Sequence, residues 1–282
     1  MTKFLTGALL LLCTLTAAAQ TPRDSVAFAT ARWQTADLGA GAECRYAQVD
    51  MFDSRQSISV VAYPGRTFTT EIVQLDGEAR ATSELGRTAG ADIALNGSYF
   101  NMKTLAPVTF VLLDKEILGR TTPEETMRTN GVLAFRDKRG RKMDIFPCDT
   151  TEYPRIARRY RSALASGPVL VRDGKIVEYD SDESFYTHRH PRTLIGKRAD
   201  GTVVMAVIDG RFKGQADGVT IAETAYIARQ LGLVDALNLD GGGSSTLWTV
   251  GKGVLNHPFD NKRFDHQGER GVPNCIVVRQ RR

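Results

Sequence analysis

The chain has 282 residues and a net charge of +5, from 37 Lys and Arg against 32 Asp and Glu. That length fits one domain of ordinary size. The modest positive field favours anionic ligands but falls short of a nucleic-acid signature, because aromatic residues are not interleaved with the basic runs at 155–161 and 279–282.

Residues 1–19 read as a targeting segment. Lys3 forms a short positive region, 4–15 is apolar, and Ala17-Ala18-Ala19 is a small-residue cleavage site before Gln20. Leu12 precedes Cys13 where a lipoprotein signal needs a small residue, which favours plain cleavage after Ala19 and export to the periplasm or the extracellular space. Removing 1–19 takes Lys3 and no acid, lowering the charge from +5 to +4. The apolar run is too short to span a bilayer stably, and no later stretch is a candidate. Residues 20–32 read as an N-terminal extension with a mobile 21–32 segment, and 33–282 as the folded domain. Cys44, Cys148 and Cys275 stay in the mature chain. Their odd number allows at most one bridge, their spacing fits no zinc motif, and they read as buried thiols.

Short apolar runs bounded by Gly, Asp, Asn or Pro predict strands at 58–62, 93–95, 108–113, 131–135, 169–171, 193–195, 203–208, 236–239, 246–250 and 276–278. Several are apolar without alternation, which implies burial on both faces. Asp137-Lys138-Arg139-Gly140, Arg172-Asp173-Gly174-Lys175 and Arg198-Ala199-Asp200-Gly201 read as hairpin turns. Thr220-Ile221-Ala222-Glu223 is a capping-box pattern, followed by helical spacing that ends at Gly232. A second helix is predicted within 77–89, a short helical turn at 123–127, and a loop at 180–191. The fold class is therefore mixed α/β (α+β): one domain with a multi-stranded, largely buried sheet and a few packed helices.

Polar residues interrupt this pattern at strand ends. Asn96-Gly97-Ser98-Tyr99 follows one apolar strand; Asn96 also opens a glycosylation sequon, a pattern common by chance. His190-Pro191-Arg192-Thr193 enters another strand, where a buried arginine needs an anionic partner. Asp209-Gly210-Arg211 follows a third strand, and its plain reading is a turn. Asn238-Leu239-Asp240 runs into Gly241-Gly242-Gly243-Ser244-Ser245-Thr246. Successive free N–H groups in such a glycine run form an anion-binding concavity, the hydroxyls add donors, and Asp240 adds a carboxylate. The competing reading is a glycine-rich hairpin. Asp209 and Asp240 both end apolar strands, so both can project at one sheet edge. Were the strands parallel, a ligand crevice would lie there. Glu223 lies one turn into the helix, as a capping residue, a site carboxylate or both. No P-loop, G-x-S-x-G elbow or H-E-x-x-H is present. Of the four histidines, His188 and His190 read as positioning or solvated residues rather than a metal pair.

Taken in order, these motifs resemble the phosphodiester glycosidases. The elements are Asn96-Gly97-Ser98-Tyr99-Phe100, Ser166-Gly167-Pro168 with Asp173-Gly174, Pro191-Arg192-Thr193-Leu194-Ile195-Gly196, Asp209-Gly210-Arg211 and the 220–223 box. The 238–246 run and Glu269-Arg270 with Val272 and Asn274 complete the series. The resemblance spans roughly 33–279. It implies hydrolysis of an α-linked sugar-1-phosphodiester such as a GlcNAc-1-phosphodiester, releasing free sugar and a phosphomonoester. It makes Asp240, Asp209 and Glu223 candidates for base, nucleophile or oxocarbenium stabiliser. Arg192, Arg211 and the Gly241, Gly242, Gly243, Ser244 and Ser245 donors would stabilise charge. Asn96, Ser98, Tyr99, Thr193 and Arg270 would contact substrate, with Asn96 and Tyr99 lining the sugar pocket. Ser98 stands where the family pattern carries glycine, which narrows the pocket floor. No organic cofactor is expected. Two rival readings use the same residues: a phosphoesterase with a divalent cation on Asp209 and Asp240, and a non-catalytic glycan-binding protein.

Overall fold

In the strand Ser54–Pro64, Val60 and Ala62 face one side and Val61 and Tyr63 the other, and all four are buried. The strand Thr202–Ile208 repeats the division, with Val204, Ala206 and Ile208 on one face and Val203, Met205 and Val207 on the other. A sheet with both faces apolar has to be covered twice, and the computed structural model, which describes residues 22–137 and 142–281, shows how. The targeting segment 1–19 with Cys13, the Lys138-Arg139-Gly140 part of one predicted turn, and Arg282 lie outside the described residues.

The central sheet has eight strands, in the spatial order Gln34–Gly39, Ala42–Met51, Ser54–Pro64, Thr202–Ile208, Arg192–Lys197, Asp235–Asn238, Val169–Arg172 and Lys175–Ile176. One face packs on the helix Ile221–Gln230 and on the helix Pro22–Ala29. The other meets two five-stranded sheets. One of these contains Gly131–Phe135 and Ser162–Ser166 and is backed by the helix Tyr153–Arg159. The other contains Ile93–Asn96, Leu247–Thr249 and Asn274–Gln280 and is backed by the helix Thr82–Thr88. The result is a mixed α+β domain. Among the described residues no helix is long and apolar enough to cross a membrane.

The strand pairings of the central sheet are antiparallel, so the non-alternating runs reflect coverage of both faces and not parallel strands. The predicted helix at Thr220 is present with its full capping box, and the Asp173-Gly174 turn has both residues at positive φ. Other boundaries differ. The strand expected from 108 starts at Val111, because Phe110 N–H is taken by the Thr121 hydroxyl. The helix expected within 77–89 starts at Thr82, because Arg80 and Ala81 pair with the strand Gly271–Val272. The 180–191 loop contains one helical turn, Ser184–Thr187. The strands Ala42–Met51, Phe68–Gln74 and Met143–Pro147 are not foreseen by the apolar pattern, since polar residues interrupt each, and neither is Ser162–Ser166, whose apolar part is only Ala163-Leu164-Ala165. Residues 22–29 form a helix whose Phe28 is buried, and Asp24 accepts the Phe52 N–H (2.8 Å). These contacts pack the segment 22–29 against the central sheet.

Cys44, Cys148 and Cys275 are free and buried. Burial raises all three thiols, Cys148 to about 12. These three should not react with a disulfide-exchange reagent in the folded protein and should react fully in denaturant. Fast labelling of any of them before unfolding would contradict this packing.

Candidate active site

The strand Arg192–Lys197 lies between Thr202–Ile208 and Asp235–Asn238 and runs antiparallel to both. Its neighbours therefore share a direction, and Arg192, Asp209 and Asp240 emerge at one end of the sheet. Antiparallel pairing with one intervening strand delivers the shared edge that a parallel sheet would have given.

Asn96, at the end of a strand in another sheet, holds that edge together. Its side chain is fully buried. Asn96 Nδ2 donates to the Asp240 carbonyl (2.7 Å), while its Oδ1 accepts the Thr193 hydroxyl and the Thr246 N–H, both at 3.0 Å. Asp240 N–H donates to Gly97 O (3.0 Å), and Asn274 Oδ1 accepts the Ser98 N–H (2.7 Å). Ser98 Oγ donates to Ala165 O (2.6 Å). Tyr99 is buried under the same layer, its hydroxyl donating to Gly167 O (2.6 Å) and accepting from Asn238 Nδ2 (3.1 Å). Asn96, Ser98, Tyr99 and Thr193 therefore brace the site from below. The expectation that Asn96 and Tyr99 line a sugar pocket is corrected, because their polar atoms are already satisfied inside the protein. The same burial closes the sequon at Asn96.

The glycine run bends over this base as a short 3-10 turn, Gly242–Ser244. Gly242 has φ +61°, a conformation that needs glycine, and the Arg211 guanidinium covers it. At Gly243 any Cβ would collide with the Asp260 carboxylate and the Arg270 guanidinium. Ser244 Oγ, Ser245 Oγ and Thr246 Oγ1 are buried and have no hydrogen-bond partner among the described residues. Three successive unsatisfied hydroxyls mark a place where a ligand or water supplies the missing bonds.

Arg128 and Arg270 act on the Asp240 carboxyl, and Arg211 lies over the adjoining glycine turn. Arg128 lies over the Tyr99 ring (4.2 Å) and is held bidentately by Glu125 at 2.6 and 2.7 Å. Arg270 is held bidentately by Asp260 at 2.9 and 2.7 Å. Arg211 has no carboxylate within ion-pair distance among the described residues; it touches His190 Nδ1 (3.4 Å) and the Phe259 ring (5.4 Å). Arg211 also sits at φ +69°, a strained backbone position for a non-glycine residue. Burial, helped by the charges of Arg192, Arg211 and His188, lowers His190 to about 4, so it is neutral at physiological pH. Burial raises the Asp240 carboxyl, opposed by the nearby Ser244 hydroxyl, Arg128, Arg270 and Gly241 N–H. Ser244 Oγ stands near that carboxylate without normal hydrogen-bond geometry and so remains an unsatisfied donor.

The other candidates are differently placed. Arg192 is buried and donates to three backbone carbonyls, those of Val219, Phe185 and His188. It needs no anion, and burial lowers it to about 10. Glu223 accepts the Thr220 N–H (2.8 Å) and pairs bidentately with Arg189 at 2.6 and 3.2 Å. Its carboxylate is committed to the helix cap and that ion pair. Asp209 is buried and receives Ser57 Oγ (2.7 Å), Asn256 Nδ2 (3.2 Å), His257 N–H (2.9 Å) and His257 Nδ1 (2.9 Å). Asn256 in turn donates to Ser245 O (3.0 Å) and accepts the Leu247 N–H (2.9 Å). Asp209 thus orients the glycine–serine turn through Asn256. Sequence reasoning misses Arg128, Asn256, His257 and Asp260, none of which carries a local motif. Among the described residues no group of three or more His, Cys, Asp or Glu side chains is arranged to hold a metal ion.

Comparison with known proteins assigns a family and a fold. A profile of the phosphodiester glycosidase family matches residues 89–279. The mouse N-acetylglucosamine-1-phosphodiester alpha-N-acetylglucosaminidase is 25% identical over 224 residues, 73% of this chain and 41% of that protein. A Bacillus subtilis prophage-derived protein, YomE, is 34% identical over 102 residues, 36% of this chain and 16% of its own length. The chain therefore spans less than half the length of these curated relatives. The zebrafish catalytic domain of N-acetylglucosamine-1-phosphodiester alpha-N-acetylglucosaminidase, auto-inhibited by its pro-peptide, superposes with a TM-score of 0.66 at 16% identity, covering 88% of each chain. A hypothetical protein from Synechocystis gives a TM-score of 0.65 at 16% identity, covering 88% of this chain and 64% of that one. At such identities these structures establish a shared fold.

Two substitutions separate support from contact. Asp209→Ala leaves four buried donor contacts unanswered and should cost about 3 kcal/mol or more in denaturant unfolding; an unchanged midpoint would remove Asp209 from the structural role. Gly243→Ala should displace Arg270 and Asp260, whose flexible ends can move. Ligand affinity should fall by roughly tenfold or more, the equivalent of one charge-assisted hydrogen bond, with little change in thermal midpoint.

Proposed function

The chain belongs to the phosphodiester glycosidase family, and from that membership we propose that it is an exported hydrolase of α-linked sugar-1-phosphodiesters of the GlcNAc-1-phosphodiester type. It cleaves the glycosidic C–O bond and releases free sugar and a phosphomonoester. The observation that carries this reading is the Asp240 carboxylate within reach of Arg128 and Arg270, beside a glycine turn that Arg211 covers and that holds unsatisfied serine hydroxyls.

Ordinary glycosidases need two carboxyl groups, one of them to protonate the leaving oxygen. A phosphomonoester has a second pKa near ~6 and carries its charge without that proton. One free carboxylate is then sufficient, which fits a site where Glu125 and Asp260 are each occupied by an arginine. In this reading the phosphate sits against Arg211, Arg270 and the serine hydroxyls of the glycine turn; the expected row of free N–H groups is absent, because those of Gly242, Ser244 and Ser245 already donate to the Pro191, Gly241 and Gly242 carbonyls. The ionised Asp240 faces the anomeric carbon as nucleophile or base. The C1–O bond breaks with its electron pair leaving on the phosphate oxygen, and water supplies the hydroxyl to C1 and releases a proton. Fixed donors aimed at the departing charge supply most of the stabilisation. Export through cleavage after Ala19 would place the reaction outside the cytoplasm. The metal-dependent alternative needs Asp209 and Asp240 to share an ion, whereas both oxygens of Asp209 are already engaged by protein donors.

Product analysis with a GlcNAc-1-phosphodiester should give free GlcNAc with the wild type, with or without chelator, and none with Asp240→Asn. GlcNAc-1-phosphate as product would show P–O cleavage and sink the proposal. The charge state of Asp240 also has a signed consequence. Because burial raises its pKa, the folded protein holds that proton to higher pH than the unfolded chain. The ionised form therefore costs stability, and the cost fades as pH falls through the raised value. Asp240→Asn should raise the thermal midpoint by a few degrees at neutral pH while abolishing turnover. The acidic limb of kcat/KM should lie above the ordinary aspartate value of 3.8.

A further inference from the structure

At the other end of the strand Arg192–Lys197, about 17 Å from the Asp240 edge at the usual rise per residue, two cavities of ≈ 390 and ≈ 720 Å³ adjoin each other. They share Arg136, Asp144 and Lys197 in their walls and so form one continuous groove. The basic run at 155–161 supplies part of it. In the helix Tyr153–Arg159, Arg155 and Arg159 are four residues apart and project from one face into the groove, while Ile156 is buried in the core. Arg172 and Lys197 come from the central sheet, and Arg66 and Lys142 from the far wall.

Seven cationic side chains line the groove against four carboxylates, Asp144, Asp173, Asp200 and Asp235. The pairing is uneven. Arg136 meets Asp144 at 3.0 Å, and Arg172 and Lys197 meet Asp235 at 3.1 and 3.3 Å. Arg155 pairs with Glu152. Arg66, Lys142 and Arg159 are exposed, and none has an ion-pair partner among the described residues. Three cations without a carboxylate partner, Arg159 among them over the Tyr160 ring (5.8 Å), attract anions spaced along a chain. The interleaved carboxylates accept hydrogen bonds from sugar hydroxyls, of which a glycan repeat offers more than a nucleotide. The two aromatic side chains in the lining, Phe146 and Tyr160, are not exposed, so the groove has no open platform for base stacking.

We propose that this groove binds a phosphodiester-linked sugar polymer, holding an extended anionic glycan along the protein while its end is processed at Asp240. The polymer's identity as substrate rests on the function proposed above; its binding to the groove does not.

The test measures binding in an Asp240→Asn background, where hydrolysis plays no part. The probes are a GlcNAc-1-phosphate-linked polymer and a single-stranded oligonucleotide with the same number of phosphates. Arg66→Ala, Lys142→Ala and Arg159→Ala combined should weaken polymer binding at least tenfold. The salt dependence should become shallower by roughly one unit of log–log slope for each phosphate no longer neutralised. The oligonucleotide should bind at least tenfold more weakly than the polymer. In the Asp240-intact protein the triple variant should leave kcat/KM for a small GlcNAc-1-phosphodiester unchanged and raise KM for the polymer. Polymer affinity unchanged in the triple variant, or an oligonucleotide bound as tightly as the polymer, would overturn the proposal. Should the small diester not be hydrolysed while polymer binding follows these expectations, the groove stands and the reaction assignment falls.

Discussion

The side-chain amide of Asn96 ties together three pieces of chain: the Asp240 carbonyl, the Thr193 hydroxyl at the mouth of a central strand, and the Thr246 N–H beyond the glycine turn. It does so from a strand of a different sheet, in a position without solvent. An unsatisfied buried amide is costly, so the arrangement is nearly all or none. The position of the Asp240 backbone, and with it of the carboxylate, follows from this clasp between two sheets. Asp209 adds a second fastening through Asn256, which grips the same turn at Ser245 and Leu247.

With the backbone held in this way, the site can tolerate electrostatic arrangements that would be unfavourable in a relaxed chain. Arg128 and Arg270 approach Asp240 with their charges already balanced by Glu125 and Asp260, and burial still raises the Asp240 carboxyl. Among the described residues Arg211 has no carboxylate at ion-pair distance, and it sits on a strained backbone beside a histidine that burial keeps neutral. Unbalanced positive charge and unsatisfied hydroxyls next to an uncomfortable carboxylate lower stability in the absence of ligand. They are also the preorganised features that an anionic leaving group requires. The groove at the opposite end of the sheet carries its excess charge differently, on exposed side chains that water already solvates.

Several parts of this organisation are legible in the chain. Runs such as 203–208 show burial on both faces, and the capping box at Thr220 marks the start of the helix. The run from Asn238 to Thr246 marks the edge. Strands interrupted by polar residues are not legible, because in Ala42–Met51 or Phe68–Gln74 the pattern depends on what covers each face. Roles within the motifs are also hidden. Arg192 reads as an anion-binding residue and proves to be saturated by backbone carbonyls. Glu223 reads as a site carboxylate and is consumed by its cap and Arg189.

The sequence by itself determined the family resemblance, the mixed α+β class and the chain segments that form the edge, since these depend on local spacing, turn chemistry and the order of motifs. Only the tertiary structure decided which polar residues of those segments are free. A hydrogen-bond partner drawn from more than a hundred residues away, as for Asn96 with Asp240 or Ser57 with Asp209, leaves no mark on the spacing around either residue. Satisfaction of a buried polar group is a property of the packed molecule, and it is this that separates the bracing residues from Asp240 and the cations around it.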